Sequence, residues 1–178
     1  MVLLFLSCAS IAGQQHDEIV YTAINLASSY VSKNMYEEAL SVYDRAIKEA
    51  ADFRLNYNKA IILSSLNRFE EAAQLCNESF AIYPYIISFK KAEAYYLSMS
   101  GNTNAQIDVL NEIINLNPYD IETRKQLIDL YLSIDNKNEA LNNAVWLFEH
   151  GSADVDTVQI LYSINPDEWS QLYNLLKN

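Results

Sequence analysis

Glycine and proline are scarce, with three of each in 178 residues. Sandwiches and barrels turn every few residues and lean on those two residues to do so, which disfavours an all-β chain and leaves helix. Cysteine is nearly absent too. Cys8 sits in an apolar opening run and Cys76 inside a helical pattern, so neither a disulfide framework nor a ligand pair at metal spacing is available. The two histidines, His16 and His150, each lack a second His or Cys three or four residues away. Positive charge is in short supply: 12 basic residues face 23 acidic ones, for a net charge of −11. A nucleic-acid surface needs Lys and Arg to neutralise phosphate, so that class of partner is excluded, and anionic lipid cannot be held by charge alone. The acidity reads as solubility. No GxSxG, HExxH, P-loop or GxGxxG sequence occurs, which leaves no catalytic residue, metal ligand or cofactor site to nominate.

What the chain does have is apolar content, 51% of its residues, enough for a sizeable core. It also has a repeat. Met35-Tyr36-Glu37-Glu38-Ala39 returns as Arg68-Phe69-Glu70-Glu71-Ala72, an internal period of about 33 residues. Around it the apolar residues recur at three- and four-residue steps. Ile19, Ala23, Leu26, Ala27 and Tyr30 form the apolar face of one helix beginning near Asp17. A second helix runs from about Tyr36 to Ala50, joined to the first by a connection too short for anything but an antiparallel hairpin. The pair then recurs as Phe53–Ser65 with Phe69–Ile82, Ile86–Ser98 with Asn104–Leu116, and Asp120–Ser133 with Asn138–Glu149. Pro84 and Pro118, one such period apart, mark where helices stop, and Gly101 is the natural site for a positive φ. Asp154–Ser163 makes one more helix. Asn165-Pro166-Asp167-Glu168 opens a last one, about Pro166–Leu176, with a capping Asn, Pro at the first position and two acids against the helix dipole.

The first residues follow a different pattern. Val2–Ala12 is an apolar run of about 11 residues, too short to span a bilayer and suited to the core of a secretory leader. No basic residue precedes it. Ser10-Ile11-Ala12 offers small residues for signal cleavage, and Leu6-Ser7-Cys8-Ala9 resembles a loose lipoprotein signal with Cys8 as the lipidated residue. Export to the periplasm or a lipid-anchored location is the expectation, with residues 1–13 as the leader. The alternative is a cytoplasmic protein whose first helix packs on the next.

The hairpins resemble the tetratricopeptide repeat, a helix-turn-helix unit of about 34 residues. The residues that carry the likeness are Leu26, Ala27, Tyr30, Ala39, Tyr43 and Ala46 in the first unit, then Ala60, Leu63, Phe69, Ala72 and Pro84. Ala94, Leu97, Gly101, Leu110, Ile113 and Pro118 follow, and Leu127, Tyr131, Ala140 and Leu147 make up the fourth and least faithful unit. The resemblance implies an all-α, right-handed α-solenoid of about four units over residues 17–163, closed by a capping helix at 164–178. It further implies a non-catalytic interaction module whose first helices line a concave groove for another protein or peptide. Carried onto this sequence, the groove residues are Tyr21, Ile24, Arg54, Tyr57, Asn58, Ile61, Lys91, Tyr95 and Lys125. The plainer alternative is that these tyrosines only fill gaps between units. The carboxylate-holding pattern of the chaperone-binding members is matched at Asn58 alone, so that mode is not expected. The paired acids Glu37-Glu38, Glu70-Glu71 and Asp167-Glu168 read as helix-start charges, and Cys76 as a small buried residue. An exported module in a bacterial envelope assembly is the expectation, and a cytosolic adaptor or co-chaperone, or a structural spacer, is the alternative.

Overall fold

Helix-forming residues run almost unbroken along the chain. The computed structural model, which describes residues 2–176 and the backbone alone over 2–12 and at 176, is correspondingly all-α. Ten helices follow in order among the described residues: α1 (Val2–Val31), α2 (Tyr36–Glu49), α3 (Phe53–Ser65), α4 (Phe69–Ile82), α5 (Ser88–Met99), α6 (Thr103–Leu116), α7 (Ile121–Ser133), α8 (Lys137–Glu149), α9 (Val155–Ile164) and α10 (Pro166–Leu176). No strand occurs among the described residues. The helical hairpins expected from the repeat are present, with most boundaries within a residue or two. The first helix is the exception. The apolar pattern places its start near Asp17, but it extends back to Val2, because nothing in Ala12–Asp17 stops a helix and one Gly costs only about 1 kcal/mol. The leader and Cys8 readings fall on side chains outside the described residues.

The turns have a repeated device. Asn34, Asn67, Gly101 and Asp135, each one repeat after the last, all have φ between +57° and +76°. Each follows a helix, and at three of them the next amide closes the turn by reaching back to a helical carbonyl: Met35 N–H to Tyr30 O at 3.0 Å, Arg68 N–H to Leu63 O at 3.0 Å, Asn136 N–H to Tyr131 O at 2.8 Å. This is the left-handed helix end that favours Gly and tolerates Asn or Asp. Helix starts are capped by side chains at Asp52, Asn102, Asp120, Asn136 and Asp154. The second helices α2 and α4 begin without a side-chain cap and have acidic pairs in the first turn instead.

The chain divides into two compact units at the third turn, residues 1–101 and 102–178. In the first, α1 packs on α2 and α3, and α2–α3, α3–α4 and α4–α5 follow in sequence. Its core has small residues where helices approach closely: Ala27, Ala39, Ala60 and Ala72 are fully buried and Ala94 nearly so. Leu55, Cys76 and Phe89 fill the wider spaces. The second unit packs α6–α7, α7–α8, α8–α9 and α9–α10 around Leu110, Ile113, Leu127, Ala140, Leu147 and Leu161. Its last helix is held by a Tyr162–Tyr173 ring stack at 4.3 Å and a Phe148–Trp169 edge contact at 4.9 Å.

Leu26, expected in the core, is instead 42% exposed. Among the described residues α1 packs on α2 and α3, and that packing leaves Leu26 partly in solvent. Leu26, Ile19 and Val42 line an open cavity there of about 470 Å³.

Candidate functional site

The face of a helix is set by its buried side. In α3, Leu55, Ala60 and Leu63 turn inward, which leaves Arg54, Tyr57, Asn58 and Ile61 together on the opposite side at three- and four-residue steps. The same spacing places Tyr21, Ile24 and Ser28 on α1, and Ser88, Lys91, Ala92 and Tyr95 on α5. Direct contacts join the three helices. The Arg54 guanidinium lies 5.2 Å from the centre of the Tyr21 ring and 2.9 Å from Asp17 on α1. Tyr57 meets the buried Phe89 of α5 edge-on, with ring centres 5.9 Å apart. Tyr96 of α5, buried, meets Tyr95 edge-on at 5.5 Å, and burial pushes its hydroxyl up to about 12. Eight of the nine expected groove residues therefore share one wall in unit 1. Lys125 stands on α7 in the second unit.

This wall is more apolar than the bare sequence suggests, because Arg54 is already engaged. It binds the Asp52 carboxylate at 2.8 Å as well as Asp17, and Asp52 also accepts the Arg54 backbone N–H at 2.8 Å as the cap of α3. The guanidinium donation holds the Asp52 carboxyl below its usual range against the opposing effect of burial. Lys125 donates to Asp154, whose other contacts are the Thr157 backbone N–H and hydroxyl at the start of α9, so this lysine ties α7 to α9. Those bonds hold the Asp154 carboxyl well below its usual range. Asn58 donates its amide to Arg54 O of its own helix at 2.7 Å. Left facing outward are rings and aliphatic chains: Tyr21 is 56% exposed, Tyr95 57%, Ile61 44% and Tyr57 37%. Between Tyr57 and Tyr95 the wall opens into a cavity of about 430 Å³ lined also by Ser88, Lys91, Ala92 and Tyr96. Tyr96 and the underlying Phe89 also build the wall, and the repeat pattern singles out neither.

A cavity of similar size, about 480 Å³, lies on the other side of unit 1 between α2 and α4. It is rich in carboxylates, but its charges pair internally: Lys59 with Asp44 at 2.6 Å, Arg68 with Glu71 at 2.6 Å and with Glu37 at 3.3 Å. It works as a lock between neighbouring hairpins. Cys76 is fully buried and its thiol is pushed up to about 12 by burial, with the nearby Glu93 adding to the effect, so it stays protonated and unreactive. Among the described residues no group of three His, Cys, Asp or Glu side chains is placed to hold a metal ion. No helix among them is long and apolar enough to cross a membrane.

The sequence profile of the tetratricopeptide repeat matches residues 22–55 and again residues 53–85. No curated protein matches the sequence. Solved structures with the same fold include a tetratricopeptide repeat protein from Parabacteroides merdae, 19% identical, with a TM-score of 0.65 over 92% of this chain and 66% of that one. MamA from Desulfovibrio magneticus RS-1 is 15% identical, with a TM-score of 0.60 over 84% of this chain and 85% of that one. The second such domain of human RPAP3, solved with an HSP70 peptide, is 16% identical, with a TM-score of 0.53 over 65% of this chain and 97% of that one.

Proposed function

Because the chain belongs to the tetratricopeptide-repeat family, we propose that it is a protein-interaction module that holds a segment of another polypeptide along the α1–α3–α5 wall and performs no chemistry of its own. The observation that carries this reading is the wall's surface. Tyr21, Tyr57, Ile61 and Tyr95 keep large apolar areas exposed on one side of unit 1, although burying them would stabilise the fold. Tyrosine gives contact area at small entropic cost and keeps a hydroxyl for the partner's backbone. A similar fold, that of RPAP3, has been solved with a peptide bound. The test is affinity capture with the full chain, partners being identified by mass spectrometry, and its repeat with Tyr21, Tyr57 and Tyr95 all changed to Ala. Partners held on the wall are lost with the triple variant, whereas unchanged capture by a folded variant sinks the reading in favour of gap-filling tyrosines.

The setting we assign is a bacterial envelope assembly, reached through the apolar Val2–Ala12 run with Cys8 as the lipidated residue. One observation favours the second reading, a cytosolic adaptor that keeps its leader: the helix runs unbroken from Val2 to Val31. Intact-mass measurement of the protein from its native compartment separates them. A diacylated N-terminal Cys8, or cleavage after Ala12, supports export; an intact Met1 in the cytosolic fraction supports the adaptor.

A further inference from the structure

The wall of unit 1 has a recess between α3 and α5. Ala92 is the small residue in it, and Tyr57, Tyr95 and Tyr96 stand around it, with Ser88 and Lys91 completing the lining of about 430 Å³. The surrounding rings are fixed from behind. Tyr57 rests edge-on against the fully buried Phe89, and Tyr96 is buried and edge-on to Tyr95 at 5.5 Å. A rigid aromatic recess in a wall of outward-facing rings is the geometry in which one inserted side chain supplies a large part of an interface's affinity. No carboxylate lines it, so its occupant need not be charged.

Charge decides the rest of the occupant. The chain carries a net −11, and residues 1–101, which hold the wall, have 11 acidic residues against 8 basic ones. The wall's own Arg54 is committed to Asp17 and Asp52 and offers little to an acidic ligand. A field of that sign steers and retains cationic segments and repels acidic ones. Lys91 at the rim of the recess places those cations away from the anchor itself. Building on the reading of the wall as a polypeptide-binding surface, we infer that the Ala92 recess is an anchor subsite for one large aliphatic or aromatic side chain, presented by a partner segment whose flanks are basic.

Selection of a random-peptide display library on the immobilised full chain tests this, in parallel with Ala92→Phe, Ala92→Ser and the triple tyrosine variant. The enriched peptides have a fixed large apolar position and an excess of Lys and Arg in the flanks. Ala92→Phe, which fills the recess without removing a contact, lowers their enrichment by about tenfold or more. Ala92→Ser keeps it, and circular dichroism shows both variants folded. The inference is overturned if acidic peptides are enriched, if enrichment survives Ala92→Phe, or if no peptide is enriched at all. Enrichment that survives Ala92→Phe but vanishes with the triple variant leaves the wall standing and removes only the recess. Enrichment that survives both removes the wall reading as well.

Discussion

At the scale of single residues, the backbone signs of the repeat are stronger than its side-chain signs. Asn67 has a φ of +57°, in the region where a side chain with a branched Cβ is strained. Asn67→Gly should leave stability unchanged or slightly raised. Asn67→Val should cost about 1–2 kcal/mol in urea denaturation. An equal tolerance of both would show that the turn is not held in this conformation. Gly101 alone among the four turn residues is legible in the sequence as a left-handed position; Asn34, Asn67 and Asp135 occur at the same register, and Asn and Asp are the residues that reach this region most readily after Gly. Core positions are plainer. Phe89 is fully buried beneath the proposed wall, and Phe89→Ala should lower stability by about 3–5 kcal/mol as a cavity opens under Tyr57. Because Tyr57 leans on that ring, partner capture should weaken in the same variant while it is still folded.

At the scale of elements, the ends of helices make the stability depend on pH. The folded-state pKa of Asp52 is depressed, chiefly by the Arg54 side chain, while its bond to the Arg54 backbone N–H makes it the cap of α3. A depressed carboxyl contributes stability that is fully present above its unfolded pKa of about 3.9 and is lost as pH falls through the lower folded value. Asp154, depressed by Lys125 and Thr157, acts in the same window at the start of α9. The urea midpoint should therefore be flat from neutral pH to about 5 and fall below about 4, and in Asp52→Asn the acid decline should be shallower. A midpoint that fell already near neutral pH, or an unchanged decline in Asp52→Asn, would contradict this account. The final helix has its own consequence. Residues 164–178 are proposed as the cap of the array, and α10 covers α9 through the Tyr162–Tyr173 stack and meets Phe148 through Trp169. Removing residues 165–178 should lower the melting temperature and raise binding of an apolar dye, as Tyr162 and Phe148 lose the rings packed on them. A truncated chain that melts like the whole would show that the cap is dispensable.

At the scale of the molecule, the proposed activity is a property of a surface that three sequence-distant helices build together. Since the Arg54 cation is already engaged, capture of a partner by Tyr21, Tyr57 and Tyr95 should lose affinity with added salt only through the long-range attraction of a basic partner for an acidic chain. The contact with the wall itself should persist at high salt, measured as a residual affinity that the triple tyrosine variant lacks. The amino-acid order by itself determined the helical class, the hairpin period and the buried alanines. Apolar residues at steps of three and four, and helix breakers that return once per repeat, are local signals that no long-range contact needs to supply. It also placed Tyr21, Tyr57 and Tyr95 on outward faces. Only the tertiary structure decided that Arg54 and Lys125 are spent on internal carboxylates, that Leu26 stays half in solvent, and that Tyr96 and Ala92 frame a recess. Those facts depend on which side chain of a neighbouring helix arrives within about 3 to 4 Å, a distance set by packing across residues far apart in the chain and absent from any pattern along it.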